Sequence, residues 1–326
     1  MNKKRVTKWN VLKFVLATIT FYALLTINIF NVGEKITPTE KDYLRLETPE
    51  YTWGQTTGDL AIQQAMQEIQ TDTQTHPSAG NETGDTTGNI QDQINFQKIC
   101  NANTSLCDEI TFDKQLTDKD RYLYLASVFK VVNFMDNNII TRQKAENTLA
   151  DIEINKDMGE RRGYATHTSV IVNLWTIADR SEFLQVISHE LGHIFDLGII
   201  VGSSSPKNTT YTEFEKPVFW SDDASLKYYA VSRDSETIRK ATATKKDFCS
   251  GYGMSDPFED FAECFNLYLH HNALFRQIAK ADSALKQKYN FIAGFFDGKY
   301  MDANKGEITL VQTSLSRRPW DSTKIN

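Results

Sequence analysis

Between residues 118 and 136 the apolar side chains Tyr122, Leu123, Leu125, Ala126, Val128, Phe129, Val132 and Phe134 recur at helical spacing. That period predicts a helix with one buried face. Thr141 is a candidate N-cap for a second helix over Arg142–Asp151. The β-rich run from Thr168 to Asn173 is short enough to be a strand. Ser181 offers a cap for an apolar helix over Glu182–Leu197, and Gly198 stands where a left-handed residue would end it. Residues 198–250 show few clear elements. Pro257 suits the first turn of a helix running to about Asn272, and a last helical region is expected from Leu274 to Phe296. The fold class predicted is α+β, mostly helical, with a small sheet.

Ahead of this body the pattern changes. An apolar run from Val11 to Phe30, broken by Lys13 and Asn28, follows a basic start. About 20 such residues span a bilayer. Residues 11–31 are therefore expected to be a transmembrane signal-anchor, with residues 1–10 cytoplasmic and the rest outside. A cleaved signal peptide is the alternative, but no Ala-x-Ala-like site follows the run. Residues 32–96 are expected to be a flexible tether. Its stretch from His76 to Gln93 is too poor in apolar residues to offset the entropy of ordering, although Leu60, Ile62, Ala65, Met66 and Ile69 fall near helical spacing. The folded domain is expected over 97–310 and a polar tail over 311–326.

Charge sharpens the division. The net charge of −6 splits into +5 over residues 1–33 and −11 over the remainder. So acidic a body lacks the basic face that nucleic acids require. Cys100 and Cys107 lie close together, as do Cys249 and Cys264. Four cysteines allow three pairings. The local pairs are the expectation outside the cytoplasm, and four reduced thiols are the alternative. Nothing in the pattern calls for more than a monomer.

The segment His189-Glu190-Leu191-Gly192-His193 changes the picture most. On a helix, residues four apart share a face, so both imidazoles can grip one metal ion. Glu190 then sits beside the ion, placed to take a proton from water. A catalytic zinc takes three protein ligands, so a third is needed elsewhere. Asp196, three residues after His193, is one candidate, either as ligand or as a partner that orients one. Downstream, Glu259 and Glu263 would lie one turn apart on the helix starting at Pro257. One of these carboxylates can bind metal while the other orients a histidine. His167, His270 and His271 read as surface residues. Asp222 and Asp223 read as solvated acids, with calcium binding as the alternative.

These motifs resemble the gluzincin metallopeptidases, and among them the catalytic domain of anthrax lethal factor and the bacterial Pro-Pro endopeptidases. In that group a Tyr-Gly stands seven residues before the ligand glutamate, and a further acid follows it by four. Here Tyr252 precedes Glu259 by seven, and Glu263 follows by four. The likeness covers residues 181–197 and 252–265. It implies a zincin-like domain with Zn²⁺ on His189, His193 and Glu259. Glu190 would be the general base, Tyr252 the oxyanion donor, and Glu263 the partner of a ligand histidine. The 66 positions from His193 to Glu259 are long for the family. The implied activity is endopeptidase cleavage of a protein or peptide outside the cytoplasm, with extended substrate pairing along the strand at Thr168–Asn173. An inactive binding ectodomain and a secreted toxin-like protease are the alternatives.

Overall fold

The structure is a computed structural model. It describes residues 60, 62–68, 86–102, 104–156, 161–204, 206–208, 210–212, 219–302 and 318–325. The expected basic segment, the anchor at 11–31 and much of the tether lie outside these residues. Among the described residues no helix is long and apolar enough to cross a membrane.

The architecture is mostly helical with one small mixed sheet. Helix α1 (Thr86–Ala102) and the short α2 (Thr104–Asp108) precede strand β1 (Ile110–Phe112) and the long helix α3 (Asp118–Asn138). After α4 (Ala145–Thr148) come β2 (Asp151–Asn155), β3 (Gly163–Ala165) and β4 (Ser169–Asn173). Helix α5 (Arg180–Ile194) follows, then α6 (Ser225–Ser232), α7 (Pro257–His270), α8 (Asn272–Ala281) and α9 (Ser283–Phe295).

The sheet order is β1-β2-β4-β3. The first three strands in that order are parallel, and β3 runs antiparallel to β4. Alternate residues Ile152, Ile154, Val170 and Val172 are buried, as the period of two demands. β4 therefore lies inside the sheet, and the expectation that substrate pairs along Thr168–Asn173 is corrected: β2 and β3 already occupy both of its edges. The outer strand on that side is β3.

Helix α3 appears where the apolar period placed it. Thr117 caps it by accepting from Asp120 N at 3.1 Å. Arg142–Asp151 does not form one helix. Only Ala145–Thr148 is helical, and Asp151 already opens β2, whose alternating burial outweighs the local helical signal. The start of order near Phe96 is also corrected. α1 begins at Thr86 and packs along α3, and Ile62 and Ala65 are buried in the core. A few apolar residues suffice there because α3 already presents a surface to cover. Both local disulfides are present: Cys100–Cys107 joins α1 to α2, and Cys249–Cys264 ties the loop before Tyr252 to α7.

α5 starts at Arg180, capped by Asp179, which accepts from Glu182 N at 2.8 Å. Ser181 is thus inside the helix. At its far end α5 widens into a π turn, Phe195–Ile199, with Ile200 N donating to Phe195 O at 3.0 Å. Gly198 lies within that turn and has no left-handed conformation. What it requires is space, because a Cβ there would sit 2.3 Å from His167 O. The rings of Phe195, Phe261, Phe265, Phe295 and Phe296 meet behind the π turn and join α5, α7 and α9. The last helical region is two helices, broken at Asp282, whose side chain caps α9.

Candidate metal centre

Helices α5 and α7 pack so closely that a Cβ on Gly192 would lie 3.1 Å from Ala262 Cα. This approach lets side chains from two separate segments converge. α7 is capped by Asp256, which accepts from Phe258 N and Glu259 N at 3.0 and 2.8 Å, and Pro257 occupies the first turn. Glu259 is therefore held at the start of α7 and faces α5. One residue on, Asp260 turns the other way and pairs with Lys288 Nζ at 2.6 Å in the core, which locks the rotation of α7.

His189, His193 and Glu259 form a cluster able to hold a metal ion, with one donor atom from each within 4.8 Å of the others. His189 Nε2 is 3.0 Å and His193 Nε2 is 3.6 Å from the same oxygen, Glu259 Oε2. Donors bound tetrahedrally at ~2.0–2.1 Å would stand about 3.3 Å apart. The two separations to Glu259 bracket that value, and all three donors lie within 4.8 Å of one another, so the cluster is compact enough for one ion. Burial alone would raise the Glu259 carboxyl, but the hydrogen bonds and charge of the two histidines outweigh it and hold it well below the usual carboxylate range. Glu259 is thus an anionic donor.

Behind the cluster, Glu263 Oε1 lies 3.0 Å from His189 Nδ1. That ion-pair contact lies on the nitrogen opposite the one facing Glu259, where a carboxylate can orient the ring. It also decides the exchange left open between the two glutamates, because Glu263 faces the far nitrogen of His189. Asp196 is neither ligand nor orienting group, which corrects that expectation. Its carboxylate accepts from the Tyr229 hydroxyl. Asp196 lies in the π segment, past the end of α5, and is buried against Tyr229. Burial there pushes its carboxyl up to about 7.

Glu190 is buried next to the cluster. Burial raises its carboxyl, and the nearby charges of His189 and His193 oppose the rise. Its side chain lies against the backbone of β3. A Cβ on Gly163 would fall 2.0 Å from Glu190 Oε1 and 2.6 Å from its Cδ. Gly163→Ala is thus expected to displace the Glu190 carboxylate while leaving both histidines in place. Metal content should be retained and catalytic turnover should fall by at least ~10-fold, since misplacement by about 1 Å costs up to ~10²-fold. Unchanged turnover in the alanine variant would show that Glu190 needs no such room.

Tyr252 also borders the cluster. Its hydroxyl donates to Glu259 Oε1 at 2.8 Å, and its ring stacks against His189 with centroids 6.2 Å apart. Burial, reinforced by the Glu259 charge, pushes the phenol far above its ordinary range. It remains a protonated donor at neutral pH. The Cys249–Cys264 bond and the close seat of Gly253 on Asp260 keep its loop against α7.

The remaining histidines divide. His167 is exposed, as expected. His270 and His271 are buried, which corrects their reading as surface residues. His270 Nε2 lies 2.7 Å from Ser188 Oγ, and His271 Nε2 lies 2.8 Å from Gln185 Oε1. Adjacent rings can both be buried because α7 ends there and His271 leaves the helical backbone. Asp223 is buried, which corrects its reading as a solvated acid, and Asp222 is half-buried. Asp222 accepts from Ser203 N and Ser204 N at 3.0 and 2.9 Å, and Asp223 from Gly202 N and Trp220 N. They shape the loop.

Two site features escaped the sequence reading. Gly163, within a short strand, carried a usable signal, because such a glycine marks close approach by another group. Arg162 and the segment 318–325 carried none. No protein-family model, curated protein or solved structure matches the chain.

Proposed function

We propose that this chain is a zinc-dependent endopeptidase of the gluzincin kind, built on a zincin-like domain. The observation that carries the reading is the convergence of His189, His193 and Glu259 on one point, with Glu190 and the Tyr252 hydroxyl beside it. Two imidazoles and one carboxylate are the donor set of a hydrolytic zinc site that keeps a fourth position open. When bound there, zinc supplies Lewis acidity toward the scissile carbonyl and acidifies a water molecule.

The chain's own groups do the rest. Glu190 takes a proton from the attacking water and passes it to the departing amine. Tyr252 releases Glu259 and donates its hydroxyl proton toward the developing negative oxygen. Glu263 holds His189 in one tautomer throughout. β3, beside Glu190, offers an outer sheet edge along which an extended peptide can pair.

The proposed location is outside the cytoplasm, on a membrane, with a protein or peptide as substrate. The basic start and apolar run support the anchor. Two disulfides support an oxidising compartment. Purified full-length chain should carry one equivalent of zinc, cleave members of a peptide library, lose cleavage to a chelator and regain it with added zinc. Activity in cell fractions should sediment with membranes. A chain that takes up no zinc, or cleaves equally well without it, refutes the proposal.

A further inference from the structure

The segment Arg318–Ile325 was expected to be part of a polar tail, yet it touches several residues that surround the centre. Pro319 O and Trp320 O accept from Gly251 N and Tyr252 N at 2.8 and 2.6 Å, so the segment pairs with the backbone of the tyrosine loop. Asp321 forms an ion pair with Arg162, the residue before Gly163. Arg162 Nη1 also donates to Thr323 Oγ1 at 2.7 Å and to Glu182 Oε1, on α5, at 2.6 Å. Gln185 Nε2, one turn before His189, donates to Ile325 O at 2.9 Å. Ser322 is fully buried. Its amide donates to Glu263 Oε2 at 2.7 Å, while the other oxygen of that carboxylate faces His189 Nδ1. Its hydroxyl accepts from Asn266 Nδ2 at 3.1 Å.

We infer that residues 318–325 are a positioning strap of the metal centre, acting chiefly through the Ser322 amide on Glu263 and through Glu263 on His189. The inference rests on reading His189, His193 and Glu259 as metal ligands. A carboxylate bridging an amide and a ligand ring has its plane set from both ends. Loss of the amide frees Glu263 to rotate, and His189 then loses the partner that fixes its ring. The strap also reaches the Glu190 side through Arg162 and the Tyr252 side through its backbone pairing. One short segment thereby sets the spacing of groups that lie on separate elements.

Ser322→Pro tests this directly. It deletes the N–H and puts the ring Cδ in its place against Glu263 Oε2, so the amide contact is lost while the local backbone remains compatible with proline. Ser322 is the first residue of a 3₁₀ turn, and Asp321 before it is extended, at φ −144° and ψ 124°. Ser322→Ala is the control, because it loses the hydroxyl and keeps the amide. The readouts, on full-length protein, are zinc affinity by chelator competition and the visible spectrum of the Co²⁺-substituted site. Ser322→Pro should weaken zinc binding by about 10–100-fold, the usual cost of losing an orienting partner, and perturb the Co²⁺ spectrum. Ser322→Ala should match the parent within about threefold. Combined with Glu263→Gln, the proline should add almost nothing, because both act on one contact. Parent-like zinc affinity in Ser322→Pro overturns the strap, as does full additivity with Glu263→Gln. If the proline variant fails to fold, Asp321→Ala reads the same strap through Arg162: weaker zinc binding is expected, and parent affinity overturns it. Failure of the parent chain to bind zinc is a separate result, which strikes the functional proposal itself.

Discussion

Glu190→Gln should lower turnover by ~10²–10⁴-fold, the range for loss of a positioned general base, while zinc stays bound. Glutamine matches glutamate in shape and still fits against Gly163, where a Cβ would have met the Glu190 side chain. It contacts neither ligand histidine in a way that holds the metal. What it lacks is the capacity to take a proton from water and return it to the amine. The result is read as kcat on a library-derived peptide, with bound zinc measured on the same sample. Retained zinc with lost turnover separates an enzyme from a binding ectodomain that only displays the fold. Parent-like turnover would remove Glu190 from the mechanism.

Glu259→Ala should have the second large effect, and of the opposite kind. The variant loses the anionic oxygen that both histidines share, at 3.0 and 3.6 Å. His193 then loses that carboxylate, His189 keeps Glu263 on its far nitrogen, and two imidazole donors alone hold a catalytic zinc poorly. Zinc affinity should fall by more than the about 10–100-fold that loss of an orienting group costs, and turnover should vanish with it. Glu263→Ala supplies the comparison, since it removes the contact to His189 Nδ1, together with the Ser322 amide bond behind it, and leaves Glu259 in place. The two variants are ranked by zinc competition against a chromophoric chelator. If Glu263→Ala proves the more damaging, the ligand and orienting roles are exchanged and the geometry described above misassigns them.

These effects sit in two segments that local sequence already marked. His189, Glu190 and His193 share a turn of α5 because helical periodicity leaves residues four apart on one face. Glu259 follows from a capped helix start at Asp256-Pro257, a local signal that needs no tertiary knowledge. Helix α3 was legible for the same reason, as were both short-range disulfides. The elements that escaped notice were those whose reason lies at a distance. β1 and β3 are three residues long and acquire strand character only by pairing. His270 and His271 are hydrophilic in isolation and are buried because Ser188 and Gln185 of α5 meet them. Asp196 stood at a spacing compatible with a partner of the histidines, and its carboxylate is instead engaged by the Tyr229 hydroxyl of α6.

Sequence alone marked the candidate groups: two imidazoles and a carboxylate on one helix, and a pair of carboxylates on another. Periodicity and capping are local, so they survive without knowledge of what packs where. Only the tertiary structure decided which carboxylate meets the histidines, which strand forms the sheet's outer edge, and that residues 318–325 belong to the centre. Those choices depend on the close approach of α5 and α7 at Gly192 and on hydrogen bonds spanning up to 161 positions, as between Arg162 and Thr323. Side chains so far apart in sequence leave no periodic trace, because the contact is made by the fold and not by neighbours along the chain.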